Sequence, residues 1–456
     1  MRTYQGEYGA NTVMENNLMV NQLLYPQISK HIIREYPQYA LSFITEGLGR
    51  YAKETIISGR KYEWWLKGRL SRPMTATGTA TGTGAAGAVF TIEFVENYFN
   101  SNDIIRFRNG QQALVVSAPM ATAGGYTYSM VLQTINAAEV ITAANYAAGV
   151  KCGCIGNAFP EMSQRGYGNT VYPDKYVTYL TISRKEGSIS GSALTDVTWI
   201  EQGGQSLWFW SQQEDTREKF FFDRELSRLY GKANVDASDV AHVFQNGQKV
   251  ESGDGLLAQI DGGNMATYTP GLTERQITNF LSDLRYTNGE IKANYTVLTG
   301  TAGLREFEQA MKDYWVATGQ ALSYDMDAGK EIKLGGTFKT YEALDLKITL
   351  MYSPILDDSN LHHDMAADGY PKESYKMIFL NTGMLKGGTS NLEIMVKGAN
   401  NINRGYIVKY IAGMVDPFDQ KAVRAANATD GFTFEYLSDS GVVLRRPKSC
   451  GILSHG

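Results

Sequence analysis

The chain has 456 residues, of which 43% are hydrophobic, 20% charged and 11% aromatic, with 28 Tyr, 47 Gly and a net charge of −4. That length supports two to four domains or subdomains with real cores. The acidic balance excludes a protein held on nucleic acid by a basic surface. Three cysteines, Cys152, Cys154 and Cys450, exclude a disulfide framework, and Cys152-Gly-Cys154 lacks a second ligand pair at zinc spacing.

Residues 1–60 carry short helical patches interrupted by Pro26 and Pro37, so an arm with one or two short helices is expected there. The opening MRTYQGEYGANTV has no apolar signal core, and no span is apolar enough for a membrane helix. Synthesis and use from the cytoplasm are expected. Next comes a basic, Trp-bearing cluster from Arg60 to Arg72, containing Lys61, Trp64, Trp65, Lys67 and Arg69. Charge beside aromatic rings could serve single-stranded nucleic acid. A subunit contact suits the cluster better, because Trp and Arg anchor interfaces and the chain is acidic.

The run TATGTATGTGAAG follows, and Gly82, Gly84 and Gly87 inside it match the dinucleotide pattern G-x-G-x-x-G. That motif acts only between a buried strand and a helix whose N-terminus takes the pyrophosphate. Here the preceding segment is polar and ends in Pro73, and the following AVFTIEF alternates like a strand. A flexible or closely packed loop is the expectation. Further strands are expected in DIIRFR, QQALVV and YTYSMVLQTI, the first two joined at Asn109-Gly110, a hairpin signal.

SQQEDTREKFFFDRELSRLYGKAN places Phe222, Leu226, Leu229 and Tyr230 on one face of a long helix. Glu214 and Asp215 are expected in its first turn, and Gly231 at its C-terminal stop. Its other face is expected to be charged, with Arg217, Lys219, Arg224 and Arg228. Thr273 and Gln276 form a capping box for a second helix, with Ile277, Phe280, Leu281 and Leu284 as its stripe. YTVLTGTAG reads as a strand and turn. A third helix follows, with Leu304, Phe307, Met311, Tyr314, Trp315 and Thr318 at helical spacing. Strands are then expected in LKITLMYSPI, SYKMIFLNTG, NLEIMVKG, RGYIVKYIAG and FTFEYLS, an α+β class overall.

Catalytic patterns are few. His362, His363 and Asp364 lie in a polar loop where neighbouring side chains point apart, and Asp325 and Asp327 only begin a calcium-loop pattern. No G-x-S-x-G is present. No enzyme, metal or cofactor is expected.

The order of elements resembles a tailed-bacteriophage major capsid protein across the whole chain. WLKGRLSRPMTATGTATGTGAAG resembles that family's extended loop, DTREKFFFDRELSRLYGKA its spine helix, and TVLTGTAGLREFEQAMKDYW a strand–helix unit of its axial domain. The closing DGFTFEYLSDSGVVLRRPKSCGIL is similar to the C-termini of capsid proteins from crAss-like phages. The resemblance implies the capsid fold shared with herpesvirus shells. It implies an arm over 1–60, an extended loop with an inserted β-rich subdomain over 61–200, and a peripheral domain over 201–262. An axial domain over 263–420 and a C-terminal segment over 421–456 complete the division. It further implies pentamers and hexamers enclosing packaged double-stranded DNA in a virion assembled in a bacterial host's cytoplasm. Portal, scaffold and accessory or head-fibre proteins are the implied partners, with no membrane. Trp64, Trp65, Arg69, Arg72, Gly82, Gly84 and Gly87 are then expected at subunit contacts, the small residues letting the loop tip lie close against a neighbour. No loop Lys–Asn pair matches the cross-link of some relatives, so a non-covalent shell is expected. A surface-layer or adhesin subunit, or a metal-dependent α/β enzyme using the His362 loop, are the alternatives.

Overall fold

The computed structural model describes residues 53–68, 73–163, 166, 168, 172–194, 197–202, 205–236, 238–260, 262–269, 271–288, 293–317, 340–383, 385, 389–414 and 429–456. In chain order, β1 (Lys53–Ile57) and β2 (Lys61–Leu66) lead into β3 (Met74–Thr81), β4 (Val89–Phe94), β5 (Asp103–Arg106), β6 (Gln112–Val115), β7 (Met120–Thr122), β8 (Gly125–Leu132) and β9 (Lys151–Asn157). Next are β10 (Asp174–Tyr179), β11 (Thr181–Ser190), the short pair β12 (Val197–Gln202) and β13 (Gln205–Leu207), and helix α1 (Trp208–Tyr230). The hairpin β14 (Phe244–Gln245) and β15 (Gln248–Lys249) precedes β16 (Met265–Tyr268), α2 (Glu274–Asn288), β17 (Ala293–Thr299) and α3 (Thr301–Ala317). The last strands are β18 (Thr340–Ala343), β19 (Leu346–Tyr352), β20 (Met377–Asn381), β21 (Leu392–Ala399), β22 (Ile402–Asn403), β23 (Ile407–Ala412), β24 (Gly431–Leu444) and β25 (Gly451–His455).

Residues 65–176 form one compact unit, and residues up to 64 together with 177–456 form the other. The expected inserted region, 61–200, is therefore wider than the unit itself. Residues 177–200, including β11, belong with the second unit.

The 65–176 unit is a closed barrel. β4 pairs with β3 on one edge and β8 on the other, and the ring closes through β6, β5 and β9 back to β3, with β7 extending β8. The Thr/Gly/Ala run expected to be a loop is thus mostly strand. Met74 and Ala76 point inward against Phe90, Ile92, Phe94, Ile105, Val115 and Met130. Phe94, Phe99 and Tyr128 meet edge to face at 5.6–5.9 Å, a favoured aromatic arrangement. The β5–β6 hairpin turns at Asn109-Gly110 as expected. Only Gly110 is left-handed (φ 93); its N–H donates to Phe107 O, and Phe107 N–H donates to Gln111 O, which makes a three-residue loop rather than a two-residue one.

The other unit holds two six-stranded sheets. One has the order β1-β21-β24-β11, with β23 beside β24 and β22 beside β21. β1 runs parallel to β21, Lys53 opposite Glu393, so residues expected in a helical arm form a strand. The remainder of that arm, 1–52, lies outside the described residues. The second sheet has the order β16-β25-β20-β17-β19-β18. β17 carries apolar side chains on both faces because it is covered on both. Leu298 joins a cluster with Ile378, Leu380, Leu229, Val442 and Leu444, while Val297 and Tyr295 join one with Phe280, Leu284, Phe307 and Met311 from α2 and α3. The capping box is present: Thr273 N–H donates to Gln276 Oε1 at 3.0 Å, and Gln276 N–H to Thr273 Oγ1 at 3.4 Å. On α3, Phe307 and Met311 are buried as expected, but Tyr314 is exposed.

α3 takes its N-terminal partner from far along the chain. Thr301 N–H and hydroxyl donate to Asp357 at 2.9 and 2.6 Å, and Ser374 Oγ both donates to Asp357 and accepts from Ala302 N–H. Gly300 makes room, since a Cβ there would fall 2.3 Å from Asp357 Oδ1. A carboxylate satisfies the free N–H groups and opposes the helix dipole. Asp357→Ala is expected to lower unfolding stability by about 1–2 kcal/mol. An unchanged urea midpoint would show the cap to be dispensable.

Candidate assembly surfaces

The segment expected as the base of the loop opens with strand β2, and Arg60 and Lys61 at its start are engaged within the chain. Arg60 pairs with Glu251 at 2.8 Å, and Lys61 with Asp239 at 2.7 Å and Glu63 at 2.9 Å. Hydrogen bonding to Asp239, then to Glu63, pushes the Lys61 ammonium above its ordinary value. Tyr179 donates to the same Asp239 carboxylate. Strand alternation separates the two tryptophans. Trp64 is buried, stacks on Tyr62 at 5.9 Å, and donates its indole N–H to Arg445 O at 3.0 Å. It is a core residue of its own chain. Trp65 points the other way and is 58% exposed. Arg69 and Arg72 lie outside the described residues.

The glycines at the β3–β4 turn have a reason inside the chain. All three are left-handed, at φ +99 for Gly82, +62 for Gly84 and +74 for Gly87. A Cβ on Gly84 would sit 2.3 Å from Ile141 Cγ2, and one on Gly82 would sit 3.0 Å from Phe90 Cα. Gly84 is buried against its own barrel, whereas Gly87 faces open space. The turn joins strand to strand, and no helix opens there to receive a phosphate. Around it Val89, Ile135 and Val140 are exposed, and Glu139 accepts from Thr134 and Gln111.

α1 begins at Trp208, so Glu214 and Asp215 fall beyond its first turn. Phe222, Leu226, Leu229 and Tyr230 face the core as expected. The four basic residues divide. Arg217 and Lys219 are about half exposed and pair with Glu214 at 3.6 Å and Asp223 at 2.9 Å. Burial raises the Asp223 carboxyl, but hydrogen bonds from Lys185 and Lys219 outweigh it and hold it below the usual range. Arg224 and Arg228 are buried and leave the charged face. Arg224 lies over the Phe221 ring at 4.8 Å, and burial, then the Arg228 charge, pulls its guanidinium down to about 10. Arg228 donates to Glu225 at 3.0 Å and to Ser440 Oγ at 2.9 Å.

The His362 loop is structural in its contacts. His362 Nε2 lies 3.2 Å from both Tyr230 Oη and Ile355 O, and burial pushes the imidazole below its ordinary value. Among the described residues, no group of three or more His, Cys, Asp and Glu is placed to hold a metal ion, and no helix is long and apolar enough to cross a membrane. Asp325 and Asp327 lie outside the described residues.

Two exposed features had no expectation attached. Residues 234–236 and 238–252 form a hydrogen-bonded loop and hairpin presenting Val240, Val243 and Phe244 to solvent. The β18–β19 hairpin presents Leu344 at its tip. The first could have been found from Asn246-Gly247, which occupies the turn.

The profile of the family described as Crassvirus major capsid protein matches residues 3–455. No curated protein sequence matches the chain. Among solved structures, the chain is similar to the capsid of the native GTA particle, at 12% identity over 98% of this chain and 100% of that one, with a TM-score of 0.42. It is similar to a chain of Gordonia phage Cozz at 10% identity, covering 100% and 98%, with a TM-score of 0.41. A third similar structure is the capsid of Myoviridae phage XM1, at 8% identity, 98% and 100% coverage, and a TM-score of 0.42.

Proposed function

The chain belongs to the Crassvirus major capsid protein family, a structural and non-enzymatic family of the virion, and from that premise we propose that copies assemble into pentamers and hexamers that close an icosahedral shell around packaged double-stranded DNA. The match from residue 3 to 455 carries the reading, because it leaves neither terminal region nor the barrel outside the family. In this reading the shell is non-covalent, is assembled in the host bacterial cytoplasm, and meets portal, scaffold and accessory or head-fibre proteins. Residues 201–262 act as the peripheral domain and 263–420 as the axial domain.

We infer a contact set that leaves out the buried Trp64 and Gly84. Trp65, Arg69, Arg72 and the exposed rim of the barrel turn, Gly82 and Gly87 with Val89, Ile135 and Val140, serve contacts between copies, together with Arg217 and Lys219 on α1. These side chains are accessible where described, and extended, aromatic and small-residue surfaces supply contact area. A mildly acidic chain also suits a container that must release its genome.

The test is particle size of the recombinant chain by light scattering and negative-stain microscopy, with and without phage co-expression. Rings of five or six subunits, or closed shells, are expected. A strict monomer in both conditions would overturn the proposal. Charge reversal of Arg69 and Arg72 to Glu is expected to leave the subunit folded and to abolish particles. Normal particles from that double variant would take the loop base out of the interface.

A further inference from the structure

Among the described residues, three hairpins turn on two residues that are both left-handed: Asn246-Gly247 (φ 50 and 75), Asn400-Asn401 (φ 51 and 67) and Leu344-Asp345 (φ 54 and 60). Asn and Gly adopt that region readily, and leucine does not. The first two turns carry residues chosen by the backbone. The third carries a branched apolar side chain at a cost, at the tip of β18–β19, where Ala343 pairs with Leu346.

The turn is held in place from outside the hairpin. Arg285 Nη1 on α2 donates to Leu344 O at 2.7 Å and lies 3.9 Å from Asp345 Oδ2. The Leu344 side chain stays 40% exposed, next to a cation and an anion that are both open to solvent. An exposed leucine gains little in the isolated chain from a conformation that opposes it. Strain that persists when a better turn residue exists is offset by a contact made elsewhere.

We propose that Leu344 is a contact residue between copies of this chain, inserting its side chain into a neighbouring copy while Arg285 and Asp345 flank it with opposite charges. The occupant is a second copy for two reasons. One tip carries both signs of charge around an apolar centre, so it is complementary to a like-built surface. In a shell of one repeated chain, that surface is also present at high effective concentration. This inference rests on the shell reading above.

The test substitutes Leu344→Asn, which suits the turn and removes the apolar group. Below the assembly threshold, the melting temperature of the variant subunit is expected to rise by about 1–3 °C. The protein concentration at which particles first form is expected to rise by roughly fivefold or more, the scale of about 1 kcal/mol lost per contact. Leu344→Met, which keeps both strain and apolarity, is expected to assemble near the native threshold. A Leu344→Asn chain that assembles at the native threshold overturns the contact and leaves the shell reading intact. A Leu344→Asn subunit that melts lower overturns the strain on which the contact is argued. A native chain that forms no particles under any condition removes the shell reading itself, and this inference with it.

Discussion

Arg228→Ala is expected to destabilise the folded subunit by about 3–5 kcal/mol, the cost of breaking a buried ion pair from one side. The side chains of Arg228 and Glu225 are 3% and 2% exposed, so water cannot replace the lost partner. The guanidinium also joins α1 to β24 through Ser440, whose hydroxyl lies 3.1 Å from that of Ser438, which in turn donates to Gly405 O. Truncation therefore takes from Glu225 its 3.0 Å partner and breaks a polar chain between helix and sheet. The paired change Arg228→Met with Glu225→Gln is expected to recover much of the loss, since it removes both charges together. A guanidinium titration decides the matter. A single variant within about 0.5 kcal/mol of the native chain would mean that the pair contributes no more than a surface one. The contrast with Lys219–Asp223 is part of the expectation: that exposed pair should weaken with salt, and the buried one should not.

Gly84→Val is expected to open the barrel, with a loss of about 3 kcal/mol combining two costs. A left-handed backbone disfavours any L side chain by about 1–2 kcal/mol. The Ile141 methyl, 2.3 Å from the added Cβ, must also move, although the Ile141 N–H to Gly84 O hydrogen bond of 2.9 Å pins it. Gly87→Ala separates the terms: it shares the positive φ but meets nothing within 4 Å, so only the backbone cost of about 1–2 kcal/mol is expected. Hydrogen exchange of peptides spanning residues 74–157 reads both. Equal protection in the two variants would show that the Ile141 contact contributes nothing.

These two sites also mark where local sequence reasoning stops. The apolar stripe of α1, the capping box of α2 and the alternating strands β4, β8, β19 and β21 carry their signal within a few residues, and the fold places them as expected. Arg224 and Arg228 were assigned to the charged face because charge alone says nothing of burial. Helical phase could have corrected this, since both stand four and eight residues after the buried Phe220, on its stripe. β3 has few side chains of its own to bury, and its identity comes from β4 and β9, which close around it. Trp64 and Trp65 differ only by the period of two of a strand that the basic residues disguised. β1 had no local signal at all, because its partner lies some 340 positions away.

The placement of β24 and β25 bears on when a subunit can take shape. β24 is paired to β11, β21 and β23, and β25 lies between β16 and β20, so both sheets of the larger unit are built around residues 431–455. During synthesis the barrel can close as soon as its own strands emerge, because its pairings stay within residues 74–157. The sheets that carry α1, α2 and α3 must wait until residues 431–455 have left the ribosome, a strongly non-local order of pairing. Until residues 431–455 have emerged, a growing chain holds only the barrel's share of the proposed contacts between copies. In the shell reading proposed above, a chain cut before residue 431 lacks the centre of both sheets and is expected to be kept out of the lattice.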